Sequence, residues 1–137
     1  MNRVFVDTSA FIAVFDKDDD LHSEALRLFD EIKNKKIQMV VTDYILSESI
    51  TTAMARAGHR IAVTVGEFIL GSHVVELIWL DKTIKLKAWE FFKKYSDKSY
   101  SFTDCTSFVV MKEIKVNHFF AFDEDFTKAG FVDFSNK

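Results

Sequence analysis

Hydrophobic and polar positions along the chain switch repeatedly between a strand-like and a helix-like rhythm. Val4-Phe5-Val6 is a short, continuously apolar run that stops at Asp7-Thr8-Ser9, the pattern of a buried strand followed by a helix start. Helix continues from Ala10 to Phe15, and Asp16 to Asp20 form an acidic break. From Leu21 onward Ala25, Leu28, Phe29 and Ile32 recur at helical spacing. Met39-Val40-Val41 reads as a second strand, with Thr42 or Asp43 capping a helix whose apolar stripe is Leu46, Ile50, Ala53, Met54 and Ala57. Gly58 closes that helix, and another runs from His59 to about Leu70, stopped by Gly71. The pattern then predicts a strand over Val74–Leu80, a helix over Thr83–Tyr95, a polar loop over Ser96–Phe102 and a helix over Thr103–Lys115. Phe119–Phe122 is a fourth strand ending at Asp123, and Phe131–Phe134 adds an edge strand.

Strands that alternate with helices predict an α/β domain with a mainly parallel central sheet and helices on both faces. One such domain accounts for all of residues 1–137, with no internal repeat or linker. In sheets of this kind the binding crevice lies beyond the carboxyl ends of the strands. Asp7 and Asp123 directly follow predicted strands, and Asp104 falls in the first turn of a helix that Thr103 or Ser101 can cap. Glu48 lies about one turn into the helix after Val41, off its apolar stripe. Helices that follow parallel strands begin at the same edge, so four acids from four segments converge there. Singly, each has an ordinary explanation as a turn residue, a cap or a solvated helix position. Jointly they repel unless a hard divalent cation with oxygen ligands, Mg²⁺ or Mn²⁺, neutralises them. Such an ion activates water and orients a phosphodiester.

Composition narrows the partners. The net charge is −3 and the pI near 5.8, so bulk positive charge does not grip a nucleic acid. Lys33, Lys35 and Lys36, and Lys82, Lys85, Lys87, Lys93, Lys94 and Lys98, form two lysine-rich regions, candidates for contact with nucleic-acid phosphates outside the acidic centre, although ordinary solvated surface is the simpler account. The single cysteine, Cys105, fits a reducing, cytoplasmic setting, and neither a membrane span nor a signal peptide is expected. Fifteen phenylalanines predict an aromatic core. Asp16, Asp18, Asp19 and Asp20 lack the glycine and final glutamate of a calcium loop and read as solvated. The histidines His22, His59, His73 and His118 show no zinc spacing.

The segments Val4-Phe5-Val6-Asp7-Thr8-Ser9-Ala10, Ser47-Glu48-Ser49, Ser101-Phe102-Thr103-Asp104-Cys105 and Phe122-Asp123-Glu124-Asp125-Phe126 resemble the motifs of PIN-domain nucleases. The nearest likeness is to the VapC-like toxins of bacterial and archaeal toxin–antitoxin pairs. The resemblance covers essentially the whole chain and implies a three-layer, Rossmann-like fold. It implies Asp7, Glu48, Asp104 and Asp123 as the metal-binding acids, with Asp7 and Asp104 the most direct ligands. Asp125 matches a position that is sometimes acidic, where it assists through water or caps Phe126-Thr127. Thr8 and Thr103 are implied to hydrogen-bond near the ligands, and Asp43 stands where many relatives carry proline. The resemblance further implies Mg²⁺ or Mn²⁺, an RNA substrate, a homodimer and inhibition by a small antitoxin protein. Alternatives are an RNA-processing PIN nuclease without a toxin role, or a non-catalytic module that binds RNA or a partner. An aspartyl-phosphate enzyme needs a second acid two residues after the nucleophile, and Asp7-Thr8-Ser9 offers none.

Overall fold

The computed structural model describes residues 1–136. Five strands, β1 (Arg3–Val6), β2 (Gln38–Thr42), β3 (Val75–Ile78), β4 (His118–Phe120) and β5 (Val132–Asp133), form one sheet in the order β3-β2-β1-β4-β5. Every pairing is parallel. Between the strands run α1 (Thr8–Phe15), α2 (His22–Asn34), α3 (Asp43–Ala57), α4 (His59–Gly71), α5 (Lys82–Lys94), α6 (Phe102–Glu113) and the short α7 (Asp125–Lys128). A 3₁₀ turn over Phe134–Asn136 follows β5.

The central strand explains the layering. Val4, Phe5 and Val6 are all fully buried although successive side chains point to opposite faces, so both faces of the sheet are covered by helices. Phe5 pairs with Val40 on one side and Phe119 on the other. The chain leaves β1 toward β2 and returns to its other flank only as β4, which makes the β1–β4 junction the switch point of the sheet.

Phenylalanines fill the layer beneath α6 and α7. Phe126 meets Phe5, Phe119 and Phe108 at centroid distances of 6.1, 5.1 and 5.0 Å. Cys105 is buried among these residues as a small core side chain, and burial pushes its thiol up to about 11.

Several element ends differ from the sequence pattern. The strand expected over Val74–Leu80 is only Val75–Ile78, because the Leu80 N–H leaves the sheet to donate to Asp43 Oδ1 at 2.7 Å. Asp43 thus ties the exit of β3 to the start of α3, and Thr42 is the cap, accepting from Ile45 N at 3.1 Å. β4 stops at Phe120 rather than Phe122, since the Phe122 N–H donates to Ser9 Oγ at 3.0 Å instead of continuing the ladder. Asp123 therefore follows a two-residue extension, not the strand itself. Met54, expected on the core stripe of α3, is 51% exposed, while Ile45, Leu46, Ser49 and Ala53 face inward. The helix α7 was not expected. It forms because Phe126 is drawn into the aromatic layer directly after the Asp123 turn.

Candidate active site

Three of the strand–helix junctions bring acids to the carboxyl edge of the sheet. Asp7 leaves β1 in extended conformation as the N-cap of α1. Its Oδ2 accepts from Ser9 N at 3.3 Å and from Ser9 Oγ at 2.9 Å. Because Ser9 Oγ also accepts the Phe122 N–H, one hydroxyl clamps the exits of β1 and β4 together. The Asp7 N–H donates to Phe120 O at 3.1 Å, which extends the β1–β4 pairing to the acid itself.

Asp104 is held by a reciprocal cap. Ser101 Oγ accepts from Asp104 N, and Asp104 Oδ2 accepts from Ser101 N, both at 3.0 Å. Asp123 Oδ1 accepts from Asp125 N at 2.8 Å, a turn that presents both carboxylates side by side. Carboxylate oxygens of Asp104, Asp123 and Asp125 lie within 4.8 Å of one another. Glu48 reaches the same place from the second turn of α3. With Asp7 these acids line one open cleft of about 480 Å³.

The electrostatics follow from burial. Asp7 is only 4% exposed. Desolvation pushes its carboxyl up to about 7, the Ser9 hydroxyl pulls it down, and the charges of Asp104 and Glu48 raise it further. Asp104 rises to about 6, again chiefly by desolvation, with Asp123 and Asp125 adding repulsion against the lowering hydrogen bonds of Ser101. Asp125 is raised as well, by desolvation and then by its neighbour Asp123. The protein therefore holds several carboxylates where their ionised forms are penalised, and a cation among them relieves that penalty. The donors are all hard oxygens, close enough for one ion to bridge, which suits Mg²⁺ or Mn²⁺ rather than a soft metal.

All four acids expected from the sequence, and Asp125 with them, share this cleft. Their arrangement is not uniform: the tight group is Asp104, Asp123 and Asp125, with Asp7 and Glu48 on the adjoining wall. The expected supports act indirectly, one residue away from the acids. Ser9 and Ser101 bond the acids, whereas Thr8 Oγ1 accepts from the buried Ser49 Oγ at 3.2 Å and the Thr103 carbonyl accepts from Thr106 Oγ1 at 2.6 Å. Position decides this, because an N-cap aspartate meets the residue two ahead and an N-cap serine meets the residue three ahead. Asp19, Thr52 and Arg56 also line the cleft. Asp19, which reads from the sequence as part of a solvated acidic loop, is half-buried at the edge of this cleft. Thr52 and Arg56 follow Glu48 at intervals of four along α3, a spacing that sets all three on one helix face.

Fold and site together define a PIN-domain protein: the family's profile matches residues 4–132, and the chain belongs to that family. Among individual proteins, it is 35% identical to the 23S rRNA-specific endonuclease VapC20 of Mycobacterium tuberculosis over 130 residues, covering 95% of this chain and 96% of that protein. It is 28% identical to a VapC ribonuclease of Archaeoglobus fulgidus over 116 residues, 81% of this chain and 71% of that one. The crystal structure of the Mycobacterium tuberculosis VapC20, described as a sarcin–ricin loop cleaving toxin, superposes with a TM-score of 0.87 over 94% of this chain and 96% of its own. FitAcB from Neisseria gonorrhoeae shares the fold at 12% identity, with a TM-score of 0.67 over 96% of each chain.

Proposed function

We propose that the chain is a single-domain, Mg²⁺- or Mn²⁺-dependent endoribonuclease over residues 1–137, acting in the cytoplasm as the toxin of a toxin–antitoxin pair. One observation carries it: acids from β1, α3, α6 and the β4–α7 turn share a cleft in which three carboxylates approach within 4.8 Å. A divalent cation held there would supply Lewis acidity toward a phosphodiester and make a bound water more acidic than bulk water. Asp104, Asp123 and Asp125 would hold it, and Asp7, braced by Ser9, would complete the donor set. Glu48 faces the same space from α3, where it would orient a water for in-line attack on phosphorus. The names of the two VapC relatives support RNA as substrate, and the Mycobacterium tuberculosis protein favours a ribosomal RNA loop.

Partners are supported by apolar surface outside the cleft. Trp79, Leu86, Trp89 and Phe92 are 66%, 54%, 47% and 40% exposed around α5, a face suited to a second copy of the chain. A groove of about 460 Å³ between α3 and α4, lined by Met54, Val63 and Leu70, suits an apolar segment of an antitoxin. No described helix is long and apolar enough to cross a membrane.

Incubating the purified chain with end-labelled total RNA, tRNA and a sarcin–ricin loop oligonucleotide tests the nuclease assignment. Discrete cleavage is expected with Mg²⁺ or Mn²⁺ and none with chelator. Cleavage that survives chelation, or no cleavage of any of these RNAs, would overturn it.

A further inference from the structure

The cleft has one cation. Among the described residues that line it, six are acids, Asp7, Asp19, Glu48, Asp104, Asp123 and Asp125, and only Arg56 carries positive charge. Arg56 forms no ion pair or hydrogen bond with any described residue. The lysine-rich regions differ in this respect. Lys33 pairs with Asp30, Lys35 with Glu31, Lys87 with Glu113 and Lys93 with Glu90, so part of their charge is already met by the protein, and none of these lysines lines the cleft. Arg3 likewise pairs with Glu76 and donates to the Ile114 carbonyl.

Arg56 also stands at a particular distance from the acids. It shares one face of α3 with Glu48 and Thr52, two full intervals of four residues beyond the acid. At a rise of about 1.5 Å per residue the two backbone positions are about 12 Å apart along the axis. That separation sets the Arg56 backbone about two helical turns from the acid, where its guanidinium suits a phosphate neighbouring the one at the acidic centre. The Thr52 hydroxyl lies between them as a further donor. A guanidinium offers planar, paired donors that match phosphate oxygens. Exposed in the last turn of α3, Arg56 also favours the carboxyl end of the helix dipole, but that role does not require it to line the acidic cleft.

We propose that Arg56 is the residue that fixes the RNA strand in the cleft, by binding a backbone phosphate adjacent to the one cleaved. This deepens the nuclease assignment and rests on it for the identity of the strand. The acids hold the reacting centre, and Arg56 holds the register of the chain that passes over it.

The test separates binding from chemistry. R56Q and R56K are compared with the parent protein, their folding checked by circular dichroism and melting temperature. Binding is read by fluorescence anisotropy of a labelled oligoribonucleotide over a salt series, with Ca²⁺ in place of Mg²⁺ or Mn²⁺ and a gel check that the probe stays intact. Cleavage of the same RNA with Mg²⁺ or Mn²⁺ is followed for kcat and KM. R56Q is expected to weaken binding about tenfold and to flatten the log–log salt slope by about 0.7, the contribution of one single-strand phosphate contact. Its KM rises about tenfold with kcat within about twofold, while R56K keeps the slope and part of the affinity. An R56Q protein with unchanged affinity and salt slope overturns the proposal even if the parent cleaves RNA as assigned. So does a loss confined to kcat, or a parent that does not bind the oligonucleotide. A parent that binds with the expected Arg56 dependence but never cleaves supports Arg56 and sinks the nuclease assignment instead.

Discussion

The chain holds two groups of acids that share only Asp19, and they are used differently. Asp16, Asp18, Asp19 and Asp20 crowd five consecutive positions between α1 and α2, yet Asp18 and Asp20 point into water. Asp16 Oδ1 accepts from Asp18 N and Asp19 Oδ1 from Leu21 N, so the loop uses its carboxylates to close its own turns. The cleft acids are scattered from residue 7 to residue 125, and the fold gathers them. Density in sequence therefore says little about chemistry. What matters is delivery by buried strands and capped helices to one partly desolvated place, where charge is costly enough that a ligand gains from relieving it.

Removing one acid from each group should break the symmetry most sharply. Asp104→Asn is expected to lower RNA cleavage by about 10²–10³-fold, the loss that follows when several kcal/mol of metal-mediated stabilisation disappear. The Asn side chain can keep the bond from Ser101 N, so circular dichroism should show an intact fold. Single-turnover cleavage in Mg²⁺ checks it, and near-parental activity would remove Asp104 from the reacting centre.

The stability of the metal-free protein gives the next largest effect. Asp7 has a folded-state pKa of about 7 against an ordinary 3.8. As pH rises from about 4 to 7 the unfolded chain releases this proton first, so Asp7 costs stability progressively and its full penalty stands above pH 7. Asp104, raised to about 6, acts with the same sign. Asp7→Asn should therefore be more stable than the parent by about 1–3 kcal/mol at pH 8 in chelator. That advantage should shrink by more than half at pH 5, as urea melts at the two pH values would show. Saturating Mg²⁺ should raise the melting temperature of the parent more than that of the variant. An advantage independent of pH would mean that Asp7 is not held against its own charge.

A smaller effect is expected from the hydroxyl that braces this acid. Ser9→Ala removes the 2.9 Å bond to Asp7 and leaves the Phe122 N–H without its acceptor. A lost partner of this kind lowers metal affinity or activity by about tenfold. The unmet N–H costs on the order of 1 kcal/mol of stability. Metal titration followed by calorimetry, set beside a urea melt, separates the two consequences.

The sequence made the sheet and the cleft legible unevenly. Val4-Phe5-Val6 and Met39-Val40-Val41 announced buried parallel strands because both faces had to be apolar, and Asp7 was placed by the strand before it. The ends of β3 and β4 were not readable, since they are decided by side chains far along the chain, Asp43 capturing the Leu80 N–H and Ser9 capturing that of Phe122. Asp125 was a marginal candidate because its value depends on the turn that sets it beside Asp123 and Asp104. Arg56 does not stand out in the sequence, for a different reason. Arginine near a helix end is common, and only the assembled cleft shows it to be alone among acids.

The loop variant is the smallest effect and the most discriminating control. Asp18→Asn combined with Asp20→Asn removes two charges from the densest acidic stretch of the chain, at positions exposed to solvent. Neither side chain closes a described turn, so stability should move by less than about 0.5 kcal/mol. Cleavage should stay within about twofold, because any field these charges exert across the cleft is screened over about 10 Å at ordinary salt. Asp19 is kept out of the pair because it holds Leu21 N and lines the cleft. If the double variant lost activity as Asp104→Asn does, the loop would belong to the working site. Kinetics at two salt concentrations would then separate a direct contact, which high salt leaves in place, from long-range repulsion of the RNA, which it removes.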